Sequence, residues 1–473
     1  MSQPLECDYL VIGTGAAGMA FTDALLTHAP AARVLMADRR HAPGGHWHDA
    51  YPFVRLHQPS TFYGVASVPL GQEEIDRSGL NEGFYELAGA DELRAYYARV
   101  MQQHFLPTGR VQHLPLCDWQ GGEQGLHRLT SRLTGQTHEV RVRRKLVDTS
   151  YLEGRMPATS APPFALGEGV RCVPAGEVAR LEAGAARRFA VVGAGKTALD
   201  TCVWLLSNGV APEAIRWIKP RESWWLNRRF HQPGTLLPEF CRGIAMQLEA
   251  MAQAAAPHEV FERLEAQGLL LRVDTAVEPQ MMRGAVLSEA ELALLRRITD
   301  VVRLGHVQRV ERDRVVFDAH SIAAEADTLY LHCAAEGLAR PPLRPVFEAD
   351  RVTVQPGFWG FACFQFALIG VVESLLDDVD EKNRLFPPIH YWDEPADYLG
   401  AFAAMLRSQQ ARASCPGVAE WARQTRLNPL GGIGWQREDP RMAEALEQMK
   451  RFGPTAAQNL PRLIAEAAAP GRR

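Results

Sequence analysis

Two glycine-rich turns about 180 residues apart, Gly13-Thr-Gly15-Ala-Ala-Gly18 and Gly193-Ala-Gly195-Lys-Thr-Ala198, constrain this chain more than any other feature. Each comes after an apolar strand, Tyr9-Leu-Val-Ile12 in the first case, and leads into a helical stretch. A strand can enter a helix through so tight a turn only where the backbone tolerates unusual angles. The next helix then offers bare N–H groups and its positive dipole end to a pyrophosphate, with no side chain in the way. A turn of this kind can also exist without a ligand. Two of them in strand–turn–helix context imply two bound dinucleotides.

The strands beyond the two turns end in opposite charges. The strand Arg33-Val-Leu-Met-Ala37 ends at Asp38, 20 residues beyond Gly18, with Arg39 next to it. A carboxylate at that place accepts hydrogen bonds from ribose hydroxyls, as expected for FAD or NAD. After the second turn, Ile215-Arg-Trp-Ile218 ends in Lys219, 21 residues beyond Ala198, with Arg221 and Arg228 close behind. A cation there can pair with a phosphate, so FAD is expected at the first turn and NADPH at the second.

At 473 residues the chain has material for two or three domains, and a net charge of −4 without a basic stripe argues against nucleic acid or an anionic membrane surface. The apolar run Phe358–Val372 contains Gln365 and falls short of the roughly 20 residues that span a bilayer, so it is expected in a core and no membrane span is expected. The first strand begins too early for a secretory signal to precede it, which points to the cytoplasm. Eight scattered cysteines form no C-x-x-C pair, which argues against a zinc site and a redox disulfide. His41, His46, His48 and His57 crowd one segment, yet no cysteine or carboxylate cluster accompanies them, and no metal is expected.

The fold class expected is α/β, with two Rossmann-like dinucleotide-binding domains, the NADPH domain nested within the FAD domain, a helical insertion and a helical C-terminal region. The FAD domain is placed at 1–165 and 320–397, with Asp327–His332 as the strand returning to the first sheet. The NADPH domain is placed at 186–319, its helical insertion at 238–298, and the helical C-terminal region at 398–473, broken at Pro416, Pro429–Gly434 and Pro454. Gly431-Gly432-Ile433-Gly434 has no flanking strand and reads as a turn rather than a third cradle.

Beyond the glycines, Asp38 is succeeded by Gly44-Gly45-His46-Trp47, then Tyr51-Pro-x-x-Arg55 and Tyr63. In order and spacing this set resembles the two-dinucleotide flavoproteins, and within them the flavin-containing and Baeyer–Villiger monooxygenases, of which the chain is a divergent relative. The resemblance covers about the first 230 residues well. It departs at Phe164–Pro174, where the group carries a histidine stretch, at His57, where Baeyer–Villiger enzymes carry an aspartate, and at Cys333-Ala-Ala335, where they carry Ala-Thr-Gly.

The resemblance implies NADPH reduction of FAD and transfer of one oxygen from a C4a-(hydro)peroxyflavin, formed with O2, to a nitrogen, sulfur or carbonyl group of a small molecule. It places Gly45, His46 and Trp47 against the flavin and makes Arg55 the cation near the developing charge, though Arg55 can equally pair with a phosphate or carboxylate. His57 is a candidate to tune protonation, or a plain hydrogen-bonding group. Lys196 and Thr197, at a helix start, are candidates for NADPH phosphates, and Gln365 for the flavin edge, with a backbone carbonyl as its alternative partner. Trp224 and Trp225 are candidates to wall the nicotinamide, or core. A reductase or dehydrogenase without oxygen insertion, and a non-catalytic redox sensor, are the competing readings. Substrate identity and homo-oligomer formation are not legible.

Overall fold

The computed structural model describes residues 4–182, 184–325, 327–335, 337–431 and 438–469. Its centre is a sheet in the order Val111–Pro115, Val34–Asp38, Leu5–Ile12, Thr137–Asp148, Leu126–Ser131, Cys117–Glu123, with Arg351–Thr353 pairing beside Thr137–Asp148. Leu5–Ile12 is parallel to both neighbours and buries Cys7, Tyr9, Leu10 and Val11, as a strand covered on both faces must. Helices Ala16–His28 and Ala362–Leu375 both come after strands of this sheet, and they pack so closely that a Cβ on Gly370 would lie 2.5 Å from the Phe21 carbonyl oxygen.

A second, wholly parallel sheet runs Val301–Val302, Ile215–Ile218, Arg188–Val192, Thr328–His332, Arg171–Pro174. In each sheet the strand that enters the glycine turn has its successor on one side and a much later strand on the other. The strand order therefore reverses beside each turn, at Thr137–Asp148 in the first sheet and Thr328–His332 in the second. Such a switch point opens a crevice at the carboxyl ends of the strands, where dinucleotides bind.

Two boundaries differ from the sequence reading. Thr328–His332 belongs to the second sheet, in register with Arg188–Val192, and the return to the first sheet is made by Arg351–Thr353. A short apolar run suits a doubly covered strand in either sheet, so composition does not select its partner. The second domain also starts earlier than residue 186, since Arg171–Pro174 is its edge strand and Ala165–Leu166 joins a small sheet with Val307–Val310, Arg314–Phe317 and Ser321–Ala323.

The insertion carries the expected helices, Leu237–Gln253, Pro257–Ala266 and Glu289–Leu295, and in addition two strands, Leu270–Leu271 and Val286–Leu287, that pair with Trp225–Asn227 just before it. Helices Pro395–Ala413, Pro416–Gln424 and Pro440–Ala467 form the C-terminal region. Pro454 does not break the last of these, which continues through both Pro454 and Pro461. Tertiary packing carries it: Asn459 donates to the carbonyls of Met251 (2.8 Å) and Ala254 (2.9 Å) at the end of Leu237–Gln253. Gly432 and Gly434 lie outside the described residues.

Candidate functional site

At the first turn Gly13 has φ +103°, and a Cβ there would meet the Thr149 hydroxyl, from the end of the switch-point strand, at 2.5 Å. Gly18 packs the helix onto the turn: its Cβ would sit 2.0 Å from the Gly13 carbonyl oxygen. Gly45, itself at φ +56°, lies back to back with Gly15, where an added Cβ would stand 2.8 Å from the Gly15 Cα, and Gly44 N–H donates to Thr14 O at 2.9 Å. The Gly-Gly-His-Trp segment is thus seated directly on the cradle. Asp38, almost fully buried, accepts from Thr14 N–H (2.6 Å), the Thr14 hydroxyl (2.8 Å) and Arg40 N–H (2.8 Å), which fixes the turn's shape from below.

Arg39 faces solvent and pairs with Glu153, while Arg40 binds Asp49. The His46 ring is accessible but ringed by protein, and desolvation pushes its pKa down to about 4, leaving it neutral. Trp47 donates through Nε1 to the Tyr63 hydroxyl at 3.0 Å, and Tyr63 meets Tyr97 edge to face. This wall is braced from far along the chain: Arg426 donates to the carbonyls of Thr61, Tyr63 (2.8 Å), Val65 (2.6 Å) and Val68 (2.8 Å).

The second turn is built differently. Gly193 (φ +149°) abuts Cys333, whose carbonyl oxygen would lie 2.8 Å from an added Cβ, and its own carbonyl accepts from Trp217 Nε1 at 2.9 Å. At Gly195 an added Cβ would meet nothing within 4 Å, so its backbone faces open space, while Ala198 is fully buried under the helix. Lys196 folds back one helical turn onto Asp200, and Asp200 also accepts from the Tyr51 hydroxyl at 2.6 Å. Burial raises the Asp200 carboxyl pKa against the opposing pull of Lys196, and it drives the Tyr51 phenol well upward. Thr197 borders the same phenol. Tyr51, in the loop after the first cradle, is therefore tied to the helix of the second. Sequence reasoning missed Asp200; its only local signal is the i, i+4 spacing from Lys196.

Three assignments need correction. Lys219 is not a free cation at the strand end: its side chain is 2% exposed, paired with Glu222 at 2.7 Å and stacked 4.1 Å over Trp217, while Arg303 holds the other Glu222 oxygen at 3.0 Å. Arg221 is half-buried and already paired with Asp393 at 3.1 Å. Gln365 is consumed by backbone, its Oε1 accepting from Gly357 N–H (2.9 Å) and Phe358 N–H (3.3 Å) and its Nε2 donating to Gly360 O. Trp224 and Trp225 are core, with Trp224 stacked on Phe261.

Arg55 and His57 lie in the loop after the Gly-Gly-His-Trp segment. Arg55 is exposed, held only by a 3.3 Å contact to Leu87 O and a backbone bridge to Gly89, and has no carboxylate partner among the described residues. His57 is driven well below the ordinary imidazole range by desolvation and by the nearby charges of Lys196 and Arg228, so it is neutral. Arg228 is fully buried and paired with Glu291 at 2.8 Å. Among the described residues no three His, Cys, Asp or Glu side chains are grouped to hold a metal ion, and no helix is long and apolar enough to cross a membrane. All eight cysteines are free, and burial raises the Cys333 and Cys363 thiols to about 12.

Fold and site define an α/β protein with two glycine-turn cradles, each at a point where the strand order of its sheet reverses. The chain belongs to the family of the uncharacterized proteins Rv2000 of Mycobacterium tuberculosis and Mb2023 of Mycobacterium bovis, each 42% identical over 472 residues, spanning 99% of this chain and 86% of theirs. No protein-family model matches the chain. Similar solved structures include a polycyclic ketone monooxygenase from Thermothelomyces thermophila (12% identity, TM-score 0.49, covering 100% of this chain and 90% of that one). A flavin monooxygenase from Stenotrophomonas maltophilia (15%, TM-score 0.46, 78% and 97%) and the bacillithiol disulfide reductase Bdr from Staphylococcus aureus (10%, TM-score 0.43, 79% and 98%) are further examples.

Proposed function

We propose that the chain is an FAD-dependent oxidoreductase that consumes a nicotinamide dinucleotide and transfers one oxygen atom from O2 to a small-molecule substrate. The observation that carries the reading is the pairing of two bare-backbone turns at two switch points, bridged by the Tyr51–Asp200 hydrogen bond. The residues present fit both groups. Gly13, Gly15, Gly18 and Gly45 leave backbone where an FAD pyrophosphate would lie, and the open backbone at Gly195 fits a second pyrophosphate at the start of Lys196–Ser207. When bound, FAD would supply two-electron and O2 chemistry and the nicotinamide a hydride.

The chain's own part is positioning and electrostatics. Tyr51 holds the second cradle against the loop of the first, so that the two ligands share one crevice. Arg55 supplies a cation with no carboxylate partner among the described residues, and Trp47, fixed by Tyr63, supplies a rigid wall that excludes water. His57, neutral between Lys196 and Arg228, can donate or accept one hydrogen bond without adding charge. Buried thiols with raised pKa values, Cys333 and Cys363 among them, argue against a dithiol relay.

The test is spectroscopic. The purified chain should retain or take up FAD, and NADPH should bleach the flavin without oxygen; failure to hold FAD overturns the reading. Oxygen transfer further expects O2 uptake without stoichiometric hydrogen peroxide release once a substrate is present. Quinone reoxidation that outruns O2 would overturn oxygen transfer and leave electron transfer.

A further inference from the structure

The second cradle opens beside an ion pair that its own ligand would disturb. Lys196 is the first residue of the helix Lys196–Ser207 and comes directly after Gly195, whose backbone faces open space. Its ammonium does not point to that opening. It is laid one helical turn along, onto Oδ1 of Asp200, while Oδ2 accepts from the Tyr51 hydroxyl at 2.6 Å. The carboxylate therefore has one charged donor and one neutral donor, and both members of the ion pair are nearly buried.

The groups around Asp200 leave its neutralisation to Lys196. Tyr51 reaches it from the loop after the first cradle, and Cys333 from the end of Thr328–His332; burial keeps the phenol and the thiol protonated, so neither carries charge. Cys202, on the same helix, is also a neutral thiol. From Glu289–Leu295 the carboxylate of Glu291 pushes the Asp200 pKa further up, although Glu291 is itself paired with Arg228 at 2.8 Å. His57, near both Lys196 and Arg228, is neutral. Even with Lys196 in place, burial raises the Asp200 carboxyl above its ordinary range. A buried carboxylate left with a single hydroxyl donor is costly enough to take up a proton. A pyrophosphate at the helix start would compete for the same ammonium, with two charges against one.

We propose that Lys196 is exchanged between two anions: in the free chain it neutralises Asp200, and when a nicotinamide dinucleotide binds it turns to the pyrophosphate while Asp200 takes a proton from solvent on Oδ1. One ion pair is broken and another is made, and Asp200 gains one O–H bond. Its Oδ2 keeps the hydrogen bond from Tyr51, so the bridge between the cradles survives. Asp200 is a positioning residue that acts through Lys196. The inference rests on the reading of the second cradle as a dinucleotide site and adds that occupancy of that site is linked to pH. Because binding takes up a proton, affinity falls as pH rises, by up to about tenfold per unit.

The test is calorimetric titration of the full FAD-loaded chain with NADP+ and with NAD+, neither of which can reduce oxidised flavin. It is run at about pH 7.5, where the phosphates are charged, in phosphate and in Tris, whose different ionisation heats reveal proton uptake. The wild type should take up as much as about one proton per dinucleotide bound. Asp200→Asn, which keeps an acceptor for Tyr51, should take up none and bind about fivefold more tightly, because Lys196 is already released. Lys196→Met should also take up none, since Asp200 is then protonated before binding, and should bind about tenfold more weakly. Binding without proton uptake in the wild type, uptake that persists in Asp200→Asn, or weaker binding by Asp200→Asn overturns the proposal and leaves the dinucleotide site standing. Binding of neither dinucleotide overturns the proposal together with that reading of the second cradle, and FAD uptake is read separately by absorbance. Should Lys196→Met fail to fold, the wild-type uptake and Asp200→Asn decide.

Discussion

The two cradles share a sequence pattern and differ in how tightly the protein closes on them. At the first, Gly13, Gly15 and Gly18 are each pressed by Thr149, Gly45 and the turn itself, and Asp38 holds the turn by three hydrogen bonds. At the second, Gly193 is pressed by Cys333, but Gly195 opens on space and Lys196 is folded away onto Asp200. A tightly built cradle suits a ligand that stays; an open one suits a ligand that comes and goes. The difference teaches that a glycine pattern marks where backbone must be bare, while the neighbours decide whether the bareness serves the fold or the ligand.

The largest expected effect is at Gly18→Ala, where the new methyl group would collide with the Gly13 carbonyl: a loss of about 4 kcal/mol or more of stability, with loss of FAD, seen in denaturant unfolding and flavin absorbance. Retained FAD and an unchanged midpoint would break the comparison. Next, Lys219→Ala strands Glu222, which is 1% exposed, with Arg303 alone, and is expected to cost about 3–5 kcal/mol while leaving the NADPH-to-NADH preference unchanged. A selective rise in KM for NADPH would restore Lys219 as the phosphate ligand.

Acid sharpens the comparison further. His231 has a folded pKa of about 4 against 6.5 when unfolded, so its contribution is present above pH 6.5 and is lost as pH falls toward 4. His231→Phe should remove on the order of 3 kcal/mol of that acid-side loss, measured as unfolding free energy across this window. Tyr51→Phe removes the bridge between cradles; with Asp200 still paired to Lys196, about 1–2 kcal/mol is expected, together with slower flavin reduction by NADPH at unchanged flavin affinity. The smallest effect on folding is at Gly195→Ala, whose methyl group meets nothing within 4 Å: stability should shift by less than about 1 kcal/mol, and KM for the nicotinamide dinucleotide should rise.

What the sequence made legible was local. Leu5 to Asp38 is one continuous strand–turn–helix–strand unit whose pattern and physical need coincide, and the structure builds it as expected. What stayed hidden depends on partners distant in the chain. The run Thr328–His332 reads as a strand, but only pairing with Arg188–Val192 tells which sheet takes it. Lys219 reads as a phosphate ligand until Glu222 and Arg303 enclose it, and Gln365 as a flavin contact until the turn at Gly357–Gly360 claims its amide. Asp200 and Tyr51 lie 149 positions apart, and no periodicity links them.

The guanidinium of Arg426 gathers four carbonyls from Thr61 to Val68. During synthesis the first strand–turn–helix unit can assemble early, yet these carbonyls wait for a donor that lies 358 to 365 residues further along the chain. The Trp47–Tyr63 wall is thereby fastened only once residue 426 has been made, and a polypeptide cut short before that residue would lack the brace.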